Sequence, residues 1–227
     1  MLYELARAWL RVAAATAWRL RVRGALNVPD RGGVILAAAL CVSYLLGSVP
    51  TGLLVVRFTR GTDVRKHGSG NVGATNVARV VGKRQGLMTL LGDVAKGFIP
   101  VYLSVHLGGS VTIIGLVALA AFLGHLYPVF LRFHGGKGVA TALGIFLSLA
   151  PMATVVIVFV FAFVIGVSRM VSLASLVAAG FAPLAFWFFS YPPLLIWLSL
   201  LIALLIVIRH RKNIQRIISG VEPRFDL

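Results

Sequence analysis

The sequence holds one cysteine, Cys41, among 227 residues. A single thiol cannot close an intrachain disulfide, and without a second cysteine no thiolate zinc cluster can form. Acidic residues are almost as scarce: six Asp and Glu stand against 22 Lys and Arg, for a formal charge of +16. Only Asp63 and Asp93 fall near the glycine-rich motifs of the chain. No Asp-rich pair is therefore available to hold magnesium on a diphosphate, which disfavours prenyl-diphosphate and sugar-nucleotide chemistry. No HExxH is present, and no metal or other cofactor is expected. Arg7, Arg11 and Arg19 interrupt the first apolar residues, so the clean apolar stretch of a cleavable signal peptide is missing.

What is present is apolar surface. Hydrophobic residues make up 59% of the chain and charged residues 12%, far from the balance of a soluble domain. Several runs approach the roughly 20 residues that cross a bilayer as a helix. They lie at about 34–58, 86–107, 111–131, 139–150, 152–167, 171–190 and 193–208. The expected fold is thus an all-α integral membrane protein, a polytopic bundle of about seven transmembrane helices, some short or broken. Residues 1–33 form a separate basic leader, too charged to span and better suited to an amphipathic helix lying in the interface. Residues 34–227 form the membrane-embedded domain. The first span contains Gly47-Ser48-Val49-Pro50-Thr51-Gly52, which should kink it or open its backbone. Asp93 and Lys96 lie three apart inside the second, on one helical face, where they can pair. A lone charge at mid-bilayer costs on the order of 2.5–3.5 kcal/mol, so both should face the bundle interior, as a structural or a catalytic pair. His125, near the end of the third span, reads as a hydrogen-bonded packing histidine rather than a ligand. The short 139–150 run should not cross alone.

The polar stretches between these runs are not generic loops. Asp63 to Arg79 reads DVRKHGSGNVGATNVAR. Gly68 and Gly70 alternate with Ser69 and Asn71, Gly73 precedes Thr75 and Asn76, and Arg65, Lys66 and Arg79 bracket them. Glycine lets backbone N–H groups converge on an anion, while Ser, Thr and Asn add short donors and Arg a fork suited to phosphate. A second such stretch is His134-Gly135-Gly136-Lys137-Gly138-Val139-Ala140-Thr141. It is not a nucleotide-binding P-loop, because Gly138 stands where Ser or Thr must follow the lysine and Leu131 holds the place of the first glycine. The tail, Arg209-His210-Arg211-Lys212-Asn213, adds cations ahead of a short helix carrying Ile214, Ile217 and Ile218. With seven crossings both glycine-rich stretches, Arg169 and the tail share one face, cytoplasmic by the excess of positive charge. The same count places the arginine-rich leader outside, against the rule. Arg65, Arg79, Lys137, Arg209 and His210 then gather at one depth and suit a substrate with several negative charges. Anionic lipid and phosphorylated substrates explain the basic balance better than nucleic acid.

GSVPTG, DVRKHGSGNVGATNVAR, DVAKG, GHLYPVF, GGKGVAT and RHRKNIQRIISGVEP resemble, in that order, the bacterial membrane acyl-phosphate:glycerol-3-phosphate acyltransferases, the PlsY family. The resemblance runs from about residue 34 to the C-terminus. It implies transfer of a fatty acyl group from acyl phosphate to the sn-1 hydroxyl of glycerol 3-phosphate, giving lysophosphatidic acid and phosphate. This is the first acylation of phospholipid synthesis. It implies a seven-helix fold in the bacterial inner membrane with the site open to the cytoplasm, no metal, and no acyl-CoA or acyl-carrier-protein donor. By motif position Ser69, Arg79, Lys137, Ser175, His210 and Asn213 correspond to residues lining the family's substrate site. Gly68, Gly70, Thr75, Asn76 and the loop of Gly135, Gly136 and Gly138 correspond to phosphate-holding parts. The other acyltransferase class, marked by His-x4-Asp, is excluded, because none of the five histidines is followed five positions later by aspartate. The leader is where the chain departs from the family, whose members usually begin near the first span; a surface helix or a mis-assigned start is expected there.

The residues suit that chemistry. Acyl phosphate is already activated, so the protein must mainly hold two anions together and aim a hydroxyl at a carbonyl, which can supply roughly 7–11 kcal/mol. The hydroxyl proton has two candidate acceptors, His210 and a substrate phosphate oxygen. The expected partners are these two substrates and membrane lipid, with no nucleic acid and with a monomer as the expected unit. A transporter for a phosphorylated anion would instead place its motifs at the midplane of two matching halves. A lipid-binding structural protein would tolerate alanine at the glycines.

Overall fold

The structure, a computed structural model, describes residues 32–224. The chain divides into two compact units between Ala39 and Leu40, and the second holds the helical bundle. The expected leader lies outside the described residues except for 32 and 33. Among the described residues the chain is helical and has no strand. The helices are α1 (Gly32–Ser48), α2 (Thr51–Arg60), α3 (Ala74–Val81), α4 (Lys83–His106), α5 (Val111–Leu126), α6 (Val139–Leu149), α7 (Pro151–Ser168), α8 (Val171–Phe188), α9 (Pro193–Arg209) and α10 (Arg211–Ile218). Single 3₁₀ turns cover Val64–Lys66 and Val129–Leu131.

Among the described residues four segments are long and apolar enough to cross a membrane, and six do so if each bent pair counts as one span. With α6 as a seventh, partial element, the expected count of seven is approximate. At 11 residues α6 is about 16 Å long, half of what a bilayer core needs. The chain bends by 41° between α1 and α2 and by 63° between α9 and α10. Pro50 causes the first bend, since it has no N–H to give the helix ladder. The opened backbone at membrane depth is satisfied from a neighbouring helix: the Val49 carbonyl accepts a hydrogen bond from Lys96 Nζ at 2.9 Å. The expected Asp93–Lys96 pair forms, with Nζ 2.9 Å from Oδ1 and both side chains buried.

Small residues set how closely the elements approach. A Cβ on Gly97 of α4 would lie 2.3 Å from the Thr141 carbonyl oxygen, and one on Gly144 of α6 would lie 2.0 Å from that of Val94. The backbones of α4 and α6 are therefore in direct contact, and the short α6 is seated in the bundle. By contrast α7 is buried over only 17% of its length, leaving Phe159, Phe163 and Val167 outward as a lipid-facing surface. Beside the spans, Val56, Val64, Val72, Val77 and Leu131 form a small core that fastens the 61–73 loop to α2 and α3.

Candidate active site

The two glycine-rich stretches and the tail meet. A cavity of about 390 Å³ is lined by Ser69, Gly70 and Asn71 from the first, by Gly135 and Lys137 from the second, and by Arg209, Arg211, Lys212, Asn213 and Arg216 from the α9–α10 corner. Tyr127 and Ile208 complete it. That volume is in the range of small-molecule sites. Five of the lining side chains are cations and none is a carboxylate, so the cavity attracts anions and concentrates their field.

Lys137 stands between the loop and the tail. Its Nζ donates to Asn213 Oδ1 at 2.6 Å. The Asn213 Nδ2 in turn donates to Glu222 Oε1 at 2.6 Å, so a donor on one side and an acceptor on the other set the amide's orientation. Glu222 also accepts from Ser172 Oγ at 2.7 Å and from Arg216 Nε at 2.7 Å. The tail beyond α10 is thereby pinned to α8. Burial pushes the Glu222 carboxyl up, but the hydrogen bonds from Arg216, Ser172 and Asn213 outweigh it and hold the carboxyl below its usual range. Burial lowers the Lys137 ammonium to about 8; Glu222 works against this, while Arg216, Arg79 and Arg209 add to it. Lys137 is thus cationic below pH 8 and neutral above. We expect kcat/KM, which reports the free enzyme, to fall as pH rises through about 8. Lys137→Arg should remove that alkaline limb, and Glu222→Gln should move it to lower pH. Initial-rate pH profiles of the three proteins check this.

The glycine loop is held from outside the cavity. Gly135 and Gly136 donate their N–H groups to the carbonyls of Leu126 and His125, at 3.2 Å each. Their own carbonyls accept from Arg209, Gly135 from Nη2 at 2.6 Å and Gly136 from Nε at 3.0 Å. The Arg209 guanidinium also sits 5.7 Å from the Tyr127 ring centroid. These two glycines therefore fasten the loop, and the backbone donors left to face an anion begin at Lys137. Gly138, with φ +87°, turns the chain into α6.

The other expected site residues divide. Ser69, Gly70 and Asn213 line the cavity with Lys137. Arg79 is exposed on α3, close enough to act on Lys137 electrostatically. His210 is buried between cavity-lining Arg209 and Arg211, and its Nδ1 lies 2.8 Å from the Ile206 carbonyl oxygen. A carbonyl only accepts, so Nδ1 carries the proton and Nε2 of the neutral ring is left with a lone pair. Thr75 is exposed on the first turn of α3.

Arg79, Thr75 and His210 are absent from the cavity lining, and three further residues, Asn76, Ser175 and Arg65, are engaged within the protein. Asn76 is 3% exposed and does not line the cavity. Its Nδ2 donates to the carbonyls of Asn71 and His67 at 2.8 and 3.2 Å, and its Oδ1 accepts from Ser69 N at 2.9 Å. It shapes the loop that presents Ser69; Gly68, at φ +59°, has no Cβ because one would strike that same Oδ1. Asn76→Leu, which keeps the volume and removes these bonds, is expected to destabilise the fold by about 2–4 kcal/mol, read as a lowered unfolding midpoint in detergent. Ser175 is buried with its hydroxyl on the Val171 carbonyl, and Ser172 is the serine that reaches the tail. Arg65 is engaged by Asp63 at 2.6 Å and is absent from the cavity; that pair holds the Asp63 carboxyl down at about 2. Glu222 contributes to the site; it lies inside the RHRKNIQRIISGVEP motif but is not among the expected site residues. It had one visible signal: it is the acid nearest the RHRKNIQR block in a chain with six.

The family model described as glycerol-3-phosphate acyltransferase matches residues 37–220. The chain belongs to the glycerol-3-phosphate acyltransferase family. It is 47% identical over 188 residues to the glycerol-3-phosphate acyltransferase of Syntrophotalea carbinolica, covering 82% of this chain and 95% of that one. To that of Geobacter metallireducens it is 51% identical over 183 residues, covering 81% and 94%. Among solved structures it is similar to PlsY (YgiH), an integral membrane glycerol 3-phosphate acyltransferase. Against the glycerol 3-phosphate form the TM-score is 0.81 at 40% identity, over 84% of this chain and 96% of that one. Against the lysophosphatidic acid form the values are 0.79 and 38%, over 84% and 95%. The acyltransferase family and the PlsY-like membrane fold thus agree with the motif-based expectation, and the cavity lies among the residues that the family model spans.

Proposed function

We propose that this protein transfers a fatty acyl group from acyl phosphate to the sn-1 hydroxyl of glycerol 3-phosphate, at the cytoplasmic face of a bacterial inner membrane. The observation that carries the reading is the cationic cavity at one end of the bundle, where Lys137 and the α9–α10 corner can hold two phosphates side by side. Ser69, Lys137, Arg209 and Asn213 share it, and a transporter midplane site would not be built this way.

In the proposed reaction the sn-1 oxygen attacks the acyl carbonyl, a tetrahedral oxyanion forms, and the carbon–oxygen bond to phosphate breaks. Lys137, fixed by Asn213, neutralises the departing phosphate; the arginine rim offsets the charge of the second anion. Ile208 and Tyr127, at the apolar edge, are where an acyl chain passes toward lipid. The hydroxyl proton has two candidate acceptors, a phosphate oxygen of the substrate and Nε2 of His210, which is buried next to the cavity-lining Arg209 and Arg211. An acceptor role for His210 requires His210→Gln to lower kcat by about 10²–10⁴; a smaller loss assigns the proton to phosphate.

The test is a product assay on purified protein with glycerol 3-phosphate and either acyl phosphate, acyl-CoA or acyl-carrier protein. Lysophosphatidic acid and an equal amount of phosphate from acyl phosphate alone are expected. Turnover with a thioester, or none with acyl phosphate, overturns the donor assignment.

A further inference from the structure

The chemistry above makes no use of the buried group of Asp93, Lys96 and His125, which are 2%, 9% and 5% exposed. None of them lines the cationic cavity. They border a separate void of about 10 Å³ shared with the α1–α2 break and with Gly135, barely room for one water. Asp93 receives a hydrogen bond from the Thr51 hydroxyl at the start of α2 and pairs with Lys96, which also holds the Val49 carbonyl. His125 Nδ1 lies 2.9 Å from Thr141 Oγ1 on α6 and 3.6 Å from Asp93 Oδ1. On its other side the ring meets the loop: a Cβ on Gly136 would lie 2.2 Å from Nε2. The His125 carbonyl accepts the Gly136 N–H.

We infer that His125, seated by Asp93, Lys96 and Thr141, is a positioning residue: its ring is the floor on which the Gly135–Gly138 loop rests, and it sets where Lys137 stands. One imidazole touches the loop's main chain, the first turn of α6 and the carboxylate that ties α4 to α2. A buried ion pair is a poor source of stability compared with apolar residues of similar volume, so stability alone does not account for one here. A fixed geometry does, because a displacement of about 1 Å at the reacting groups costs on the order of 100-fold in rate.

The inference rests on Lys137 serving the phosphates, and the experiment separates the two. Thr141→Val, Thr141→Ser and the double variant Asp93→Asn/Lys96→Met are compared with the parent for kcat, for KM with glycerol 3-phosphate and for the unfolding midpoint in detergent. The parent is assayed with acyl phosphate, or with whichever donor it uses, so a failed donor assignment leaves the comparison intact. Thr141→Val and the double variant should each lose about 10- to 100-fold in kcat in the folded protein, with the midpoint lowered by the buried hydrogen bonds they remove. Thr141→Ser, which restores the hydroxyl, should recover most of the rate. A merely structural cluster would move the midpoint and leave kcat within about threefold in whatever folds; that result overturns the inference. Should the double variant fail to fold, full kcat in Thr141→Val alone overturns it.

Discussion

Lys137→Ala is expected to lower kcat/KM by about 10³-fold while leaving a folded protein that can be recovered from membranes. Lys137 is the cation that both glycine loop and tail are arranged to present, through Asn213 at 2.6 Å and, behind it, Glu222. In the proposed reaction its removal deletes charge where negative charge develops, so the loss should greatly exceed that of an exposed cation. It leaves the fold's main supports alone, because the loop is fastened by Arg209, His125 and Leu126 rather than by the lysine. Arg65→Ala is the matching control. That arginine faces Asp63 at the surface, a pair worth about 0–1 kcal/mol, and activity should stay near parental. Steady-state kinetics on both variants, with circular dichroism to confirm helicity, decide the matter; a Lys137→Ala protein retaining a tenth of parental activity would remove Lys137 from the centre of the site.

Gly135→Ala should be nearly as damaging for a different reason. A methyl at that position would stand 2.1 Å from the His125 carbonyl oxygen, 2.4 Å from Pro128 Cδ and 2.7 Å from the Leu126 carbonyl oxygen. Two of these obstacles are backbone and the third is a proline ring, so none can swing aside. The loop must lift, breaking its bonds to Leu126 and Arg209. We expect a loss of 100-fold or more in kcat/KM, on the order of the penalty for an ångström of misplacement, together with about 1–3 kcal/mol of overpacking strain. Gly166→Ala on α7 tests whether any glycine would do the same: nothing lies within 4 Å of a Cβ there, and φ is unremarkable, so it should be silent. Equal losses in both variants would show that general helix disturbance, not the loop, is being measured.

Much of this could be read without coordinates. Apolar runs of membrane-spanning length separated by basic, glycine-rich stretches require a helical membrane protein, because only a helix satisfies its own backbone in hydrocarbon. Pro50 between glycines marked the break, the i, i+3 spacing of Asp93 and Lys96 marked a pair, and the block around Lys137 lies at the cation-lined cavity. These signals are local, carried by residue type and short spacing. The assignments that moved depend on partners far along the chain. Asn76 has the composition of a phosphate ligand, yet its amide faces the carbonyls of its own loop. Ser172 and Ser175 look equivalent, but only Ser172 meets Glu222, 50 residues on. Arg209 reads as a substrate cation, and besides lining the cavity it grips two carbonyls 73 and 74 residues earlier.

The sequence by itself determined the solvent this protein lives in, its helical class and the chemistry of its charged end, since each follows from counts and spacings along one dimension. Only the tertiary structure decided which of several like side chains face the cavity and which face the protein, because a hydrogen-bonding group is satisfied by whatever the fold brings within about 3 Å of it, and that neighbour is not written beside it in the chain.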